Sequence, residues 1–475
     1  MRKIIFLLFP AVFLLFYFAF PTFAQGNKFG IHILEANEVD IAADLVNSSG
    51  GNWGYVTIVI REDDLNFQKW QNFMDKCRER HLIPLVRIAT RQEDESWTAP
   101  LLEDAKKWAK FLNSLNWPVK DQYVIIFNEP NQAKEWGKKI NPAEYARILD
   151  TFANELRQIN PNFKILNAGF DLAALNSSST MEAFQFWKKM EKEIPGIFNR
   201  LDGWASHSYP NHGFRGKPTD TGKTSIRGYQ WELAILKKYF NLQKELPVFV
   251  TETGWVKDNL RFKKENLKSK NARFISPELA ADYFKLAFEN LWLKDERIVA
   301  VTPFVLNYPQ PPFAEFSWIG ENGDRFPQYE IIKNLPKRSW WPPQEEKYEL
   351  GDFIIPPFML TEGVFKGTIP IKNLGQSILG EKGGFFFSPQ TSSQEISLTP
   401  ATLSAILKPY EEGLLDFQIK AATTPGQFTV GWEKIGSYQI KVFVPSLIKK
   451  VELSIWEKLF LTFTNILKRF RFLLK

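Results

Sequence analysis

"YVIIFNEPNQ", residues 123–132, sets a run of strand-forming apolar side chains directly against Asn-Glu-Pro-Asn. Val124, Ile125, Ile126 and Phe127 lack the alternation of a half-wet strand, so they read as a strand buried on both faces. A carboxylate at the end of such a strand, Glu129, is either an exposed loop residue or a group held in place for chemistry. The rest of the chain decides between them.

Outward from this stretch, residues 28 to about 335 alternate short apolar strands with amphipathic helical segments. "KFGIHIL" (28–34), "YVTIVIRED" (55–63) and "LIPLVRIAT" (82–90) precede the opening stretch, which is the fourth strand. "FKILNAGFD" (163–171), "LDGWASHSYP" (201–210), "PVFVTETGW" (247–255) and "IVAVTPFVLNYP" (298–309) follow it. A helix begins at Asn141 as cap, with Pro142 in the first turn and Glu144 placed to close a capping box. Ser276 caps another. Eight such units predict an α/β fold, a (β/α)8 TIM barrel. The competing doubly wound sheet usually carries a Gly-rich phosphate loop after its first strand, and "GIHILEANE" has none.

At 475 residues the chain is long enough for more than one domain. The expected organisation is a signal peptide or anchor at 1–24, the barrel at 25–335, a Pro-rich and charged linker at 336–347, a small all-β sandwich at 348–445, and a C-terminal amphipathic helix at 446–475. The leader has two basic residues, an apolar run from Ile4 to Phe20 and "TFA" before Gln25, which predicts export by the secretory route or a short N-terminal anchor. The last thirty residues hold seven Lys and Arg against Glu452 and Glu457, and their apolar positions recur at helical spacing. That pattern suits the surface of an anionic membrane. Most of the chain's net charge of +7 therefore sits in the tail, which argues against a nucleic-acid partner. The only cysteine, Cys77, rules out an internal disulfide and reads as core. Four histidines, with His207 and His212 as the only close pair, match no strong zinc spacing, so neither a metal nor another cofactor is expected.

In a parallel barrel the chemistry lies at the C-terminal ends of the strands. Those ends carry Arg87, Asn128, Glu129, His207, Tyr209 and Glu252, with Glu62 and Asp171 as further rim acids. Glu129 and Glu252 thus share one mouth from the fourth and seventh strands. Two carboxylates flanking a cleft can protonate a leaving oxygen and attack an anomeric carbon, the two tasks of glycosidic bond cleavage.

"FNEPN", "SHSYP" and "TETGW", in that order on strands four, six and seven, resemble the core of glycoside hydrolase clan A, the (β/α)8 retaining glycosidases that include families 5 and 39. The resemblance covers about residues 28 to 335 and implies that Glu129 is the general acid/base and Glu252 the nucleophile. It further implies that Asn128 meets the sugar 2-hydroxyl, that His207 and Tyr209 line the site, and that the substrate is an oligo- or polysaccharide. Arg87 is expected to hold the pKa of Glu252 low while a drier setting raises that of Glu129. Trp255 and Trp318 are expected as sugar platforms, with Trp97 as a further cleft residue. The clan places a Trp at the end of strand eight; "TPFVLNYP" has none, and Trp318 is the expected substitute.

Overall fold

The computed structural model describes residues 26–258, 274–308 and 310–445. The expected leader (1–24) and the amphipathic tail (446–475) lie outside the described residues. Among the described residues, no helix is long and apolar enough to cross a membrane. The described chain divides into two compact units, with the boundary after Pro343.

The first unit contains eight parallel strands: β1 (Gly30–His32), β2 (Gly54–Arg61), β3 (Leu82–Ala89), β4 (Gln122–Ile126), β5 (Phe163–Leu166), β6 (Trp204–His207), β7 (Val248–Glu252) and β8 (Ile298–Val301). β1 to β5 pair in sequence order, as do β6 to β8. Single parallel bridges, Leu166 to Gly203 and Phe29 to Val301, join the two sheets at both seams and close the barrel. Every residue of β3 is buried, as the continuous apolar run predicts.

Among the described residues, eight α-helices surround the barrel: α1 (Val39–Val46), α2 (Phe67–Glu79), α3 (Asp104–Ser114), α4 (Pro142–Ile159), α5 (Ala183–Glu193), α6 (Gly228–Tyr239), α7 (Pro277–Ala287) and α8 (Pro327–Asn334). The predicted caps are in place, since Asn141 Oδ1 accepts from Glu144 N at 3.1 Å and Ser276 Oγ from Leu279 N at 3.1 Å. Glu144 does not close its box: its carboxylate accepts from Trp136 Nε1 at 3.1 Å, because that buried indole needs a partner. Cys77 is fully buried on α2. Between β6 and β7 the chain runs through an extended segment before α6 begins at Gly228.

The expected linker is only partly a linker. Trp341 packs edge-on against Trp53 and His81, Trp340 Nε1 donates to Trp53 O at 3.1 Å, and Lys120 N donates to Pro343 O at 2.9 Å. Residues 340–343 therefore close the floor of the barrel, where two indoles find apolar cover. In the second unit, Val364–Asn373 and Glu412–Lys420 centre one sheet, and Gly426–Trp432 and Gly436–Phe443 another. Alternate residues of both, among them Ile369, Phe417, Val430 and Ile440, share one core.

The strand that opened the sequence reading ends at Ile126, and the chain then turns sharply. Phe127 (φ 67°) and Glu129 (φ 29°) both take positive φ, a conformation that costs a non-glycine residue about 1–3 kcal/mol and must be held by its surroundings. Phe127 supplies the hold: its ring lies edge-on to Phe152 of α4 at 5.3 Å and to Trp136 at 5.8 Å. Phe152→Ala is expected to lower stability by about 3–5 kcal/mol in denaturant unfolding and to loosen this turn. Leu286→Ala, on the wet side of α7, should stay within about 0.5 kcal/mol.

Candidate active site

The turn after β4 delivers Asn128 and Glu129 to the barrel mouth, where they meet residues from β1, β3, β6 and β7. Arg87, on β3, is buried with its guanidinium directly against Glu252 Oε1, and the same Nη1 donates to Asn128 Oδ1 at 2.8 Å. Tyr209 OH donates to the other oxygen of Glu252 at 3.1 Å. Asn128 Nδ2 donates to Glu135 Oε2 at 3.1 Å, so one chain of hydrogen bonds runs from Glu252 through Arg87 and Asn128 to Glu135.

His207, the last residue of β6, stands between the two glutamates. Its Nδ1 lies 2.8 Å from Glu129 Oε1 and 3.7 Å from Glu252 Oε2. The other oxygen of Glu129 accepts from Gln132 Nε2 at 2.7 Å, and Gln132 also reaches Asp171 Oδ2 at 3.1 Å. Asp171 thus stands behind Glu129. Glu62, the other rim acid, pairs with exposed Arg91 at 3.2 Å.

The electrostatics separate the two carboxylates. Burial pushes Glu129 up to about 7, and the hydrogen bond from His207 only partly offsets it. Burial would raise Glu252 as well, but His207 and Arg87 bring it down to about 2. His207 is desolvated, which lowers its pKa, yet its two glutamate neighbours win and raise it. Glu252 is therefore a carboxylate at neutral pH, while Glu129 is poised to carry a proton.

Several of these residues escaped the sequence reading. His32 ends β1 fully buried, 4.0 Å from Glu252 Oε1, with neither ring nitrogen hydrogen-bonded; burial and the neighbouring Arg87 hold its pKa at about 3, so it is neutral. The strand-end rule that found Arg87 could have found it. Glu135 and Gln132 lie in a short turn beyond Glu129 and carry no such signal.

Two expectations fail. Trp255 is 2% exposed, wedged against Phe284 and Tyr283 with Nε1 donating to Gly216 O. Trp318 is 1% exposed and packs on Phe284 at 4.8 Å. Neither has a face free to stack on a sugar, because both indoles fill the space between α7 and the barrel. The aromatic wall is instead Tyr209, Phe214, Phe316 and Phe304, which pack edge to face at 5.0–6.0 Å, with Phe304 also edge-on to His32 at 5.2 Å. Trp97 is half-buried in the two-residue strand Ser96–Trp97.

One oxygen each from Glu129 and Glu252 and a nitrogen of His207 lie within 4.8 Å of one another, which is also the spacing of a cation site. The guanidinium of Arg87 already supplies positive charge at Glu252, and His207 is drawn toward protonation, so this donor set suits a proton better than a metal ion.

His207 keeps its position because Gly169, just after β5, has no side chain. A Cβ there would lie 2.0 Å from His207 Cδ2. Gly169→Ala should displace the imidazole from both glutamates and lower turnover by about 100-fold, with KM changing far less. Unchanged turnover in a folded Gly169→Ala variant would show that the imidazole's place does not matter.

No protein-family model matches the chain, and no curated relative matches it. Solved structures to which it is similar include the GH53 catalytic domain of Ignisphaera aggregans, 15% identical, covering 64% of this chain and 91% of that one, with a TM-score of 0.43. A family 39 glycoside hydrolase from the gut symbiont Bacteroides cellulosilyticus is 14% identical, covers 83% of this chain and 80% of that one, and has a TM-score of 0.43. A monomeric beta-xylosidase from Caulobacter crescentus is 13% identical, covers 84% and 98%, and has a TM-score of 0.45. Likenesses this distant carry no argument about chemistry, which rests on the side chains described above.

Proposed function

We propose that the chain is a retaining β-glycoside hydrolase, endo-acting on a polysaccharide, with Glu252 as nucleophile and Glu129 as general acid/base. One observation carries the reading. Two glutamates of opposite protonation preference face each other with oxygens within 4.8 Å, in a mouth where Arg87 and Tyr209 hold only one of them as an anion. That spacing is closer to the ~5–5.5 Å of retaining pairs than to the ~6.5–9.5 Å of inverting ones, which supports the retaining reading.

In the first step Glu252 attacks the anomeric carbon while Glu129 gives its proton to the departing glycosidic oxygen. The carbon–oxygen bond to the leaving group breaks and a glycosyl ester forms on Glu252. Glu129, now ionised, takes a proton from water, whose oxygen displaces Glu252 and restores both groups. Tyr209 and Arg87 share the charge of Glu252 before the ester forms and again once water has displaced it. Asn128, fixed at both ends of its amide by Arg87 and Glu135, keeps one amide hydrogen for the sugar 2-hydroxyl. Phe304 takes the place at the end of β8 where the resembled clan carries a Trp.

The same residues would serve a transglycosylase, in which an acceptor sugar replaces water in the second step; product analysis at high acceptor concentration separates the two. A barrel that only binds glycan is disfavoured by the division of protonation between Glu129 and Glu252. We further propose that the leader exports the chain, that the tail binds an anionic membrane surface, and that the two-sheet unit spaces the barrel from that surface.

Four outcomes are expected. On a polysaccharide panel, Glu252→Ala and Glu129→Ala should each lower kcat/KM at least about 100-fold, and loss in neither removes the assignment. Since activity needs Glu129 protonated and Glu252 ionised, kcat/KM should be bell-shaped, rising above pH about 2 and falling above about 7. With an activated aryl leaving group, Glu129→Ala should abolish the alkaline limb. In co-sedimentation with phosphatidylserine vesicles, the chain should bind and a chain ending at residue 445 should not; equal binding by both would dismiss the tail's role.

A further inference from the structure

The opposite end of the barrel holds a cavity of about 530 Å³. It is lined by the second residue of several strands: Tyr55 of β2, Ile83 of β3, Tyr123 of β4, Phe249 of β7 and Val299 of β8. Tyr55 and Ile83 are register partners, so these side chains form one layer at the N-terminal ends of the strands. Trp340, Pro342 and Pro343 form the lip, and Asp121, Lys164 and Asp202 stand at the rim.

A TIM barrel normally fills this layer with branched aliphatic side chains. Here it carries two phenols instead. Tyr55 is 2% exposed, and neither its hydroxyl nor that of Tyr123 has a hydrogen-bond partner among the described residues. Burial raises the pKa of both, so each stays a neutral group able to donate and to accept. Both phenols line the cavity, so their hydroxyls are open to water or to the hydroxyl groups of a ligand held there.

The rim charges are largely spoken for. Lys164 pairs with Asp121 at 3.4 Å, and Asp202 Oδ2 accepts from Arg157 at 2.6 Å and Ile165 N at 2.8 Å. An ionic ligand would find no free counter-charge, and its desolvation against Ile83, Val119, Phe249 and Val299 would be unfavourable. What fits is a neutral ring with an apolar face for the aromatic side chains and hydroxyl groups for the phenols. The volume lies within the range of small-molecule sites.

We propose that the floor of the barrel is a second, non-catalytic site that binds a single neutral sugar unit between Tyr55, Tyr123 and Trp340. It is separate from the mouth by the full length of the strands and does not depend on the catalytic reading, since the phenols and the aromatic lip would bind a sugar whatever the mouth does.

The test is calorimetric titration of the full chain with D-glucose, D-galactose and D-xylose, supported by saturation-transfer NMR. At least one sugar should bind. Tyr55→Phe and Tyr123→Phe should each weaken it about tenfold, the loss of one hydrogen bond from a buried site. Trp340→Ala, at the half-buried lip, should weaken it as well and serves if a tyrosine variant does not fold. Glu252→Gln, at the mouth, should leave this binding in place. If no sugar binds at tens of millimolar, the cavity holds only water and the proposal falls. If binding is lost in Glu252→Gln and kept in the floor variants, the sugar sits in the mouth and the proposal falls equally.

Discussion

The contact between Arg87 and Glu252 is the constraint on which the mouth of this barrel depends. Both side chains are nearly dry, and a carboxylate in such a place would ordinarily take up a proton. The guanidinium prevents this, and its second hydrogen bond, to Asn128, ties the ionised glutamate to the turn that carries Glu129. Removing Arg87 would leave an uncompensated buried charge, a change that costs about 3–5 kcal/mol in comparable pairs. Charge, geometry and the strained turn after β4 are therefore one unit.

His207 makes the asymmetry usable. A single imidazole nitrogen faces both glutamates but lies closer to Glu129, so the proton that the site retains is held on the Glu129 side. Gly169 sets that position by its lack of a side chain, and Gln132 fixes the second oxygen of Glu129 from the other direction. The turn at Phe127 and Glu129 is an unfavourable backbone conformation tolerated because α4 packs against it. Strain of this kind at a site mouth is common where a side chain must point somewhere the relaxed chain would not send it.

The two ends of the barrel differ in how they treat polar groups. At the mouth the polar atoms around the two glutamates are engaged, and His32, which is not, is kept neutral by burial beside Arg87. At the floor, hydroxyl groups face open space beneath a lip made by residues 340–343. That lip explains why the Pro-rich segment is not a free connector: its tryptophans need the apolar cover that the barrel floor provides.

Much of this was legible in the sequence. Uninterrupted apolar runs marked the barrel strands, because a strand wet on neither face shows no alternation. Polar residues at the strand ends then marked Arg87, Asn128, Glu129, His207, Tyr209 and Glu252, since chain direction alone places those ends together. What the sequence did not carry was distance across the barrel. Trp255 looked like a platform because it follows the strand of Glu252, and Trp318 because strand eight lacks the Trp of the resembled clan; only packing against α7 turned them inward. His32, Glu135 and Gly169 act through contacts with residues as many as 220 positions away, and no local pattern encodes such contacts. Local propensity and periodicity determine which side chains reach the mouth. The tertiary structure decides which of them touch, and through those contacts which glutamate keeps its proton.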